Sequence, residues 1–130
     1  MTQDSGDLSH WTETQLRKDA ASWRGNIYNR GETGDCDPNK ASWQFIADFP
    51  LALLHHLSDN WPAWFDDEIR MDEVDELNRG YRAMLREPII EAIVVVMVDG
   101  KGYIWDGWHR TGASISSGRT TIRAIVGTPE

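Results

Sequence analysis

The order of elements predicted for residues 103–126 is the strongest constraint on how this chain can fold. A stretch with strand character ends at Gly107, whose conformational freedom suits a tight turn. Residues 108–113 then have helical character, and Gly118 is placed to stop the helix. Residues 122–126 alternate apolar and other side chains in the period of a strand. The stretch therefore predicts strand, glycine turn, short helix, glycine stop and strand.

The start of this predicted helix is the part of the sequence that points to function. Backbone N–H groups at a helix N-terminus have no intrahelical acceptor, and the helix dipole favours anions there. Arginine, histidine and threonine side chains in the first turn add donors suited to phosphate oxygens. The sequence thus predicts a phosphate site made of five consecutive residues: Gly107, Trp108, His109, Arg110 and Thr111.

The rest of the predicted core lies upstream of this turn. Residues 43–47 suit a strand, and residues 72–86 carry apolar side chains at helical spacing, with acids first and arginines later. Residues 89–98 are β-branched and nearly all apolar, as in a strand buried on both faces, and the Asp-Gly pair at 99–100 is a hairpin signal. We therefore predict an α+β fold: a small mixed β-sheet of about four strands with packed helices.

The N-terminal third is less clearly patterned. We expect residues 1–42 to form an arm, partly helical or loop, ahead of a domain at 43–130. A short helix is predicted at residues 12–23, with Thr12 or Thr14 as its cap.

The charge distribution limits the classes of partner. A net charge of −8 argues against a general nucleic-acid binder, which should carry a basic face. Acids are concentrated at residues 59–76, and the run at 66–76 either forms a solvated face or binds magnesium or a basic partner. In residues 101–123, basic side chains outnumber acidic ones. We expect the phosphate site to lie on the basic side of an electrically asymmetric molecule.

The sequence favours a cytoplasmic protein without membrane contact. Its single cysteine, Cys36, excludes an intrachain disulfide. The first nine residues are polar and acidic, unlike a signal peptide, and the longest apolar run, at 92–98, is too short to span a bilayer.

The predicted order is a strand, the Asp-Gly-Trp-His-Arg turn, a helix of small residues, a glycine and a final strand. In this order of elements the chain resembles the ParB/sulfiredoxin-like superfamily, including its ParB-like nuclease domains. Residues 104–113 carry the turn motif. Residues 86–98 look like the family's helix end, Pro-Ile junction and central strand, and residues 49–54 are similar to its short opening element. The resemblance covers roughly residues 43–127.

The resemblance implies a nucleotide at the turn. Sulfiredoxins place their catalytic cysteine where this chain has Trp108, and Cys36 lies outside the matched region, so sulfiredoxin activity is not expected. ParB proteins hold a cytidine nucleotide with the equivalent turn, and related archaeal proteins use it to phosphorylate free serine. His109 and Arg110 carry over as phosphate ligands, and Gly107 as the turn that places them.

Our leading hypothesis is a domain that binds a nucleoside triphosphate with Mg²⁺ and hydrolyses it or transfers its phosphoryl group. Asp106 and His109 are the candidate catalytic residues. Asp106, with an acid such as Glu87 or Glu91, either holds the magnesium or serves as base; alternatively, Asp106 only caps the helix.

A second hypothesis needs no catalysis. The same turn could contact DNA backbone or a partner protein in an accessory protein, and a metal-dependent ParB-like nuclease stands between the two hypotheses. Trp105 and Trp108 flank the turn and either stack on a base or pack in the core.

Overall fold

The computed structural model describes residues 7–24, 36–54 and 91–130. The helix predicted at 72–86 and the acidic run at 59–76 lie outside these ranges. The described elements are, in chain order, α1 (Glu13–Ala21), a short 3-10 helix (Pro38–Lys40), β1 (Ala41–Pro50), a second short 3-10 helix (Leu51–Leu53), β2 (Ile93–Val98), β3 (Lys101–Asp106), α2 (Trp108–Ser116) and β4 (Thr121–Pro129).

The four strands form one mixed sheet in the order β1-β4-β2-β3. Strand β4 pairs antiparallel with β1 and parallel with β2, and β2 pairs antiparallel with β3. The predicted α+β class, with a small mixed sheet and helices, is therefore confirmed.

Strand β2 is buried on both faces of the sheet, as its continuous apolar sequence predicts. Ile93 and Val95 pack on one face, and Val94 and Val96 on the other. The strand begins at Ile93, whereas the sequence predicted a start at residue 89. The described residues 91 and 92 precede the strand. The first face carries a core of nine buried residues: Phe49, Leu51, Leu54, Ile93, Val95, Ile104, Ile122, Ala124 and Val126.

The N-terminal helix covers the second face. Thr12 caps α1 through a capping box in which the Thr12 N–H donates to Gln15 Oε1 (2.7 Å) and the Gln15 N–H donates to Thr12 Oγ1 (3.2 Å). Leu16 and Ala20 are buried against the sheet. The predicted short helix and its Thr12 cap are confirmed, and the helix contributes to the core.

The hairpin between β2 and β3 is also confirmed. Asp99 (φ 52°) and Gly100 (φ 80°) both lie in the left-handed region, as a two-residue primed turn requires. Strand β3 begins at Lys101, directly after this turn and two residues before the predicted start.

The order of elements in residues 103–126 is as predicted. The end of β3 and the start of β4 lie at the same end of the sheet, because Asp106 is opposite Val94 and Ala124 is opposite Ile93. Helix α2 therefore connects the two strands across that end. Among residues 7–24, 36–54 and 91–130, no helix is long and apolar enough to cross a membrane.

Candidate functional site

The link between β3 and α2, residues 106–111, is called the Gly107 turn below. Gly107 is the N-cap of α2 and has φ 104°, a conformation that other residues rarely adopt. It also lies against Ile93: a Cβ at position 107 would be 2.7 Å from Ile93 Cβ and closer still to its Cγ2. The position thus needs glycine both for its backbone angle and for its close approach to β2.

The first N–H groups of α2 are left without acceptors inside the helix. The Thr111 N–H donates to the Gly107 carbonyl (2.9 Å) and closes the first helical turn. The N–H groups of Trp108, His109 and Arg110 precede that bond, so helix geometry gives them no intrahelical acceptor. Gly107 has no side chain with which to cap them, and Asp106, one residue earlier, is not the N-cap. Gly107 is therefore the N-cap in place of Asp106, whose Oδ2 accepts a hydrogen bond from Arg110 Nη2 (3.0 Å).

The side chain of Arg110 contacts the start of the Gly107 turn and the segment before β2. Its Nη2 donates to Asp106 Oδ2 (3.0 Å) and to the Ala92 carbonyl (3.2 Å), and its Nη1 donates to Glu91 Oε2 (3.3 Å). The Arg110 and Asp106 side chains are only 18% and 22% exposed, whereas that of Glu91 is 77% exposed. Arg110 Nε is buried and has no hydrogen-bond partner in the described structure. The guanidinium thus braces α2 against the end of β3 and the segment before β2.

Thr111 faces the interior. Its side chain is fully buried, and its hydroxyl donates to the Gly107 carbonyl (2.8 Å). Ser114 is also buried and donates to the Arg110 carbonyl in the same way (2.9 Å). A phosphate contact through the Thr111 hydroxyl, as predicted from the sequence, would require that hydroxyl to leave Gly107.

The N-terminal helix adds a further carboxylate near Arg110. The pKa of Asp19 in α1 is raised by burial and by the charge of Asp106, and lowered to a smaller extent by Arg110. Three carboxylates therefore act on this guanidinium, Glu91 and Asp106 through hydrogen bonds and Asp19 through its charge. The described ion pairs of Arg110 are thus with acids, whereas the sequence predicted a phosphate site on the basic side of the molecule.

The described residues contain no group of three or more His, Cys, Asp or Glu side chains that could hold a metal ion. Two acids do converge, since Glu91 and Asp106 accept hydrogen bonds from the two terminal nitrogens of Arg110. Glu91 was one of the two acids paired with Asp106 from the sequence; the other, Glu87, lies outside the described residues.

The two tryptophans beside the turn have different positions. Trp105 is buried on the α1 side of the sheet, where its ring lies 5.8 Å from that of Trp43 between centroids. It therefore packs in the core, which excludes it as a base-stacking surface in this conformation. Trp108 and His109 occupy the first turn of α2.

The interactions of Arg110 with the rest of the fold were not predicted from the sequence. The spacing of Asp106 and Arg110, four residues apart, was a usable signal for an ion pair. No local pattern indicated that the charge of Asp19, far away in the chain, or the carbonyl of Ala92 would act on the same arginine.

Comparison of the chain with family models, with curated proteins and with solved structures gave no match. The resemblance to ParB/sulfiredoxin-like proteins therefore stays an expectation from the sequence.

Proposed function

We propose that this chain is a ParB/sulfiredoxin-like domain that binds the phosphates of a nucleoside triphosphate at the Gly107 turn. The observation that carries the proposal is the glycine-opened start of α2 at the end of β3, whose first N–H groups have no intrahelical acceptor. Such groups, together with the helix dipole, bind phosphate in many unrelated folds.

Arg110 can contribute to this site without losing its structural role. Nη2 is held by Asp106 and the Ala92 carbonyl, within a largely buried environment. Nη1 donates to Glu91, and that carboxylate is mostly exposed. An exposed ion pair contributes about 0–1 kcal/mol, so exchanging Glu91 for a phosphate oxygen costs little. We therefore expect Nη1 to be the atom that contacts phosphate.

The three carboxylates around Arg110 oppose the approach of a bare anion. A nucleotide that brings its own Mg²⁺ avoids this repulsion, because the complex carries less negative charge. Magnesium in nucleotide sites commonly takes only one or two protein carboxylates and completes its shell with phosphates and water. Asp106 and Glu91 fit this requirement and would hold the ion, which would neutralise phosphate charge.

Within this proposal the catalytic roles fall to Asp106 and His109. As the alternative to holding the ion, Asp106, which is oriented by Arg110, would accept the proton of the attacking water or hydroxyl group. His109, in the first turn of α2, would donate to the phosphates. The reaction is hydrolysis of the triphosphate or transfer of its terminal phosphoryl group, with rate enhancement from positioning and charge neutralisation.

Calorimetric titration with ATP, CTP and GTP, each with and without Mg²⁺, tests the proposal. We expect one of them to bind with Mg²⁺ and Arg110→Ala to weaken that binding at least about tenfold. Lys101→Ala is the matched control, because it also removes one positive charge, from an exposed side chain at the opposite end of β3. No binding of any nucleotide at millimolar concentration would reject the proposal.

Glu91→Ala separates the two roles proposed for the acid. Without Mg²⁺, freeing Nη1 from Glu91 should strengthen nucleotide binding; with Mg²⁺, loss of a ligand should weaken it. A variant that binds as wild type does under both conditions would place the nucleotide away from Arg110. Salt-sensitive retention of DNA without nucleotide binding would instead favour the accessory-protein alternative.

A further inference from the structure

Strand β1 lies at one edge of the sheet and pairs with β4 alone among the described strands. In an antiparallel pair, alternate residues direct their N–H and C=O groups away from the partner strand. The Trp43 N–H and the Ala41 carbonyl point outward in this way. Neither is left unpaired, because both bond to side chains of α1.

Two residues of α1 make these contacts. Glu13 Oε2 accepts a hydrogen bond from the Trp43 N–H (3.3 Å), and Arg17 Nη2 donates to the Ala41 carbonyl (3.4 Å). Glu13 and Arg17 are themselves ion-paired at 2.8 Å, one helical turn apart. The pair therefore occupies one donor and one acceptor that an added strand would need at this edge.

The same pair is anchored to the chain ahead of β1. Arg17 Nε donates to the Pro38 carbonyl (3.2 Å). Leu16 and Ala20, the buried residues of α1, belong to the apolar cluster on this face of the sheet, so the helix has an apolar attachment besides its polar contacts with β1. The polar contacts with the strand edge can therefore be removed while the apolar attachment of α1 is kept.

We propose that α1 guards the β1 edge and that, without the Glu13–Arg17 pair, this edge joins the β1 strand of a second copy of the chain. Edge strands self-associate unless side chains or irregularities block them, and in β1 the regular part is residues 41–46, before the register shift between Ile46 and Phe49. Two copies of one strand pair antiparallel about a two-fold axis, so the edge is complementary to itself. The freed Trp43 N–H and Ala41 carbonyl are one donor and one acceptor two residues apart, so Trp43 of one copy can face Ala41 of the other and each can bond its counterpart.

The test compares E13A/R17A with T14A/K18A by sedimentation velocity over a wide range of protein concentration. Thr14 and Lys18 are exposed on the same helix, with the same spacing. We expect E13A/R17A to form dimers with self-association at least about tenfold tighter than that of the control and the wild type. A folded E13A/R17A variant that keeps the monomer mass throughout, or equal dimerisation of all three proteins, would overturn the proposal.

Hydrogen exchange at the Trp43 amide gives a second readout. In the dilute double variant this amide should exchange faster than in the wild type, and it should become protected again at high protein concentration. If circular dichroism shows the double variant to be unfolded, Glu13→Ala alone frees the same amide and leaves the Arg17 contacts with Pro38 and Ala41 in place. A Glu13→Ala variant whose Trp43 amide exchanges no faster than in the wild type, or a folded double variant whose Trp43 amide stays unprotected at high concentration, would also reject the proposal.

Discussion

Asp106 and Arg110 are joined by an ion pair of 3.0 Å that spans the Gly107 turn and ties the last residue of β3 to the first turn of α2. Both side chains are largely buried, and Arg110 also bonds the carbonyl before β2. The arginine that the sequence marks as a phosphate ligand is thus also a structural brace. A ligand at this turn would bind to a site whose shape the brace has already set.

The first prediction concerns this brace. Asp106→Ala leaves a mostly buried guanidinium without its shortest acceptor, so we expect the free energy of unfolding to fall by about 1–3 kcal/mol. Glu91→Ala is the control, since its carboxylate contacts the same arginine from an exposed position, and it should change stability by no more than about 0.5 kcal/mol. Urea denaturation of both variants measures the difference. Equal losses would mean that the two acids hold Arg110 to the same extent.

The second prediction separates two reasons for glycine at a turn. Gly107 and Gly118 both have positive φ, but a Cβ would collide with Ile93 only at position 107, since position 118 has no atom within 4 Å. Gly118→Ala should therefore cost about 1–2 kcal/mol for the backbone alone. Gly107→Ala should cost more than that and should also displace the start of α2 from β2. Thermal denaturation of the two variants checks the order, and equal losses would contradict the close approach to Ile93.

Local sequence patterns predicted much of the fold because the forces behind them are local. The Asp-Gly pair at 99–100 allows the left-handed turn that the hairpin needs, and Thr12 and Gln15 carry a capping box within one helical turn. Strand β2 was predicted from successive apolar side chains and β4 from alternating ones, because these patterns follow which side chains are buried. Each of these signals lies within a few residues of the feature that it predicts.

The surroundings of Arg110 could not be predicted in the same way, because they depend on tertiary packing. Its hydrogen-bond partners come from the segment before β2 and from the end of β3, and a charge in α1 acts on it as well. Phosphate affinity was predicted from residue types alone, whereas the buried position of Thr111 and the nearby acids depend on how α2 docks on the sheet.

The third prediction concerns the close contact between β1 and β4. Gly127 lies opposite Trp43, and a Cβ at position 127 would come within 2.5 Å of Trp43 Cζ3 and 2.6 Å of Cη2. The buried indole therefore lies directly over the glycine, and it cannot move easily because its Nε1 donates to the Pro38 carbonyl (2.9 Å). We expect Gly127→Ala to lower the free energy of unfolding by about 1–3 kcal/mol through overpacking.

A double-mutant cycle identifies the cause of that loss. Trp43→Leu removes the ring that the new methyl group would meet, so Gly127→Ala should cost less in the Trp43→Leu background than in the wild type. Chemical denaturation of the four proteins gives the coupling energy. A cost that is the same in both backgrounds would mean that the methyl group disturbs the β4 backbone and not the indole.

The final prediction concerns Asp19 and pH. Its pKa is raised above the usual value of 3.8, first by burial and then by Asp106, so the folded state binds this proton more tightly than the unfolded state does. Between 3.8 and the raised value, the free energy of unfolding therefore falls as pH rises, and above that window the loss is complete. Asp19→Asn should accordingly be more stable than wild type at pH 7. The difference should disappear below pH 3.8, where both folded and unfolded wild-type protein are protonated at this residue.

Asp48→Asn, which removes an exposed carboxylate from β1, is the matched control for the change in net charge. Unfolding curves at several pH values measure the three proteins, and an Asp19→Asn variant no more stable than Asp48→Asn at pH 7 would show that burial and the charge of Asp106 do not raise the pKa of Asp19.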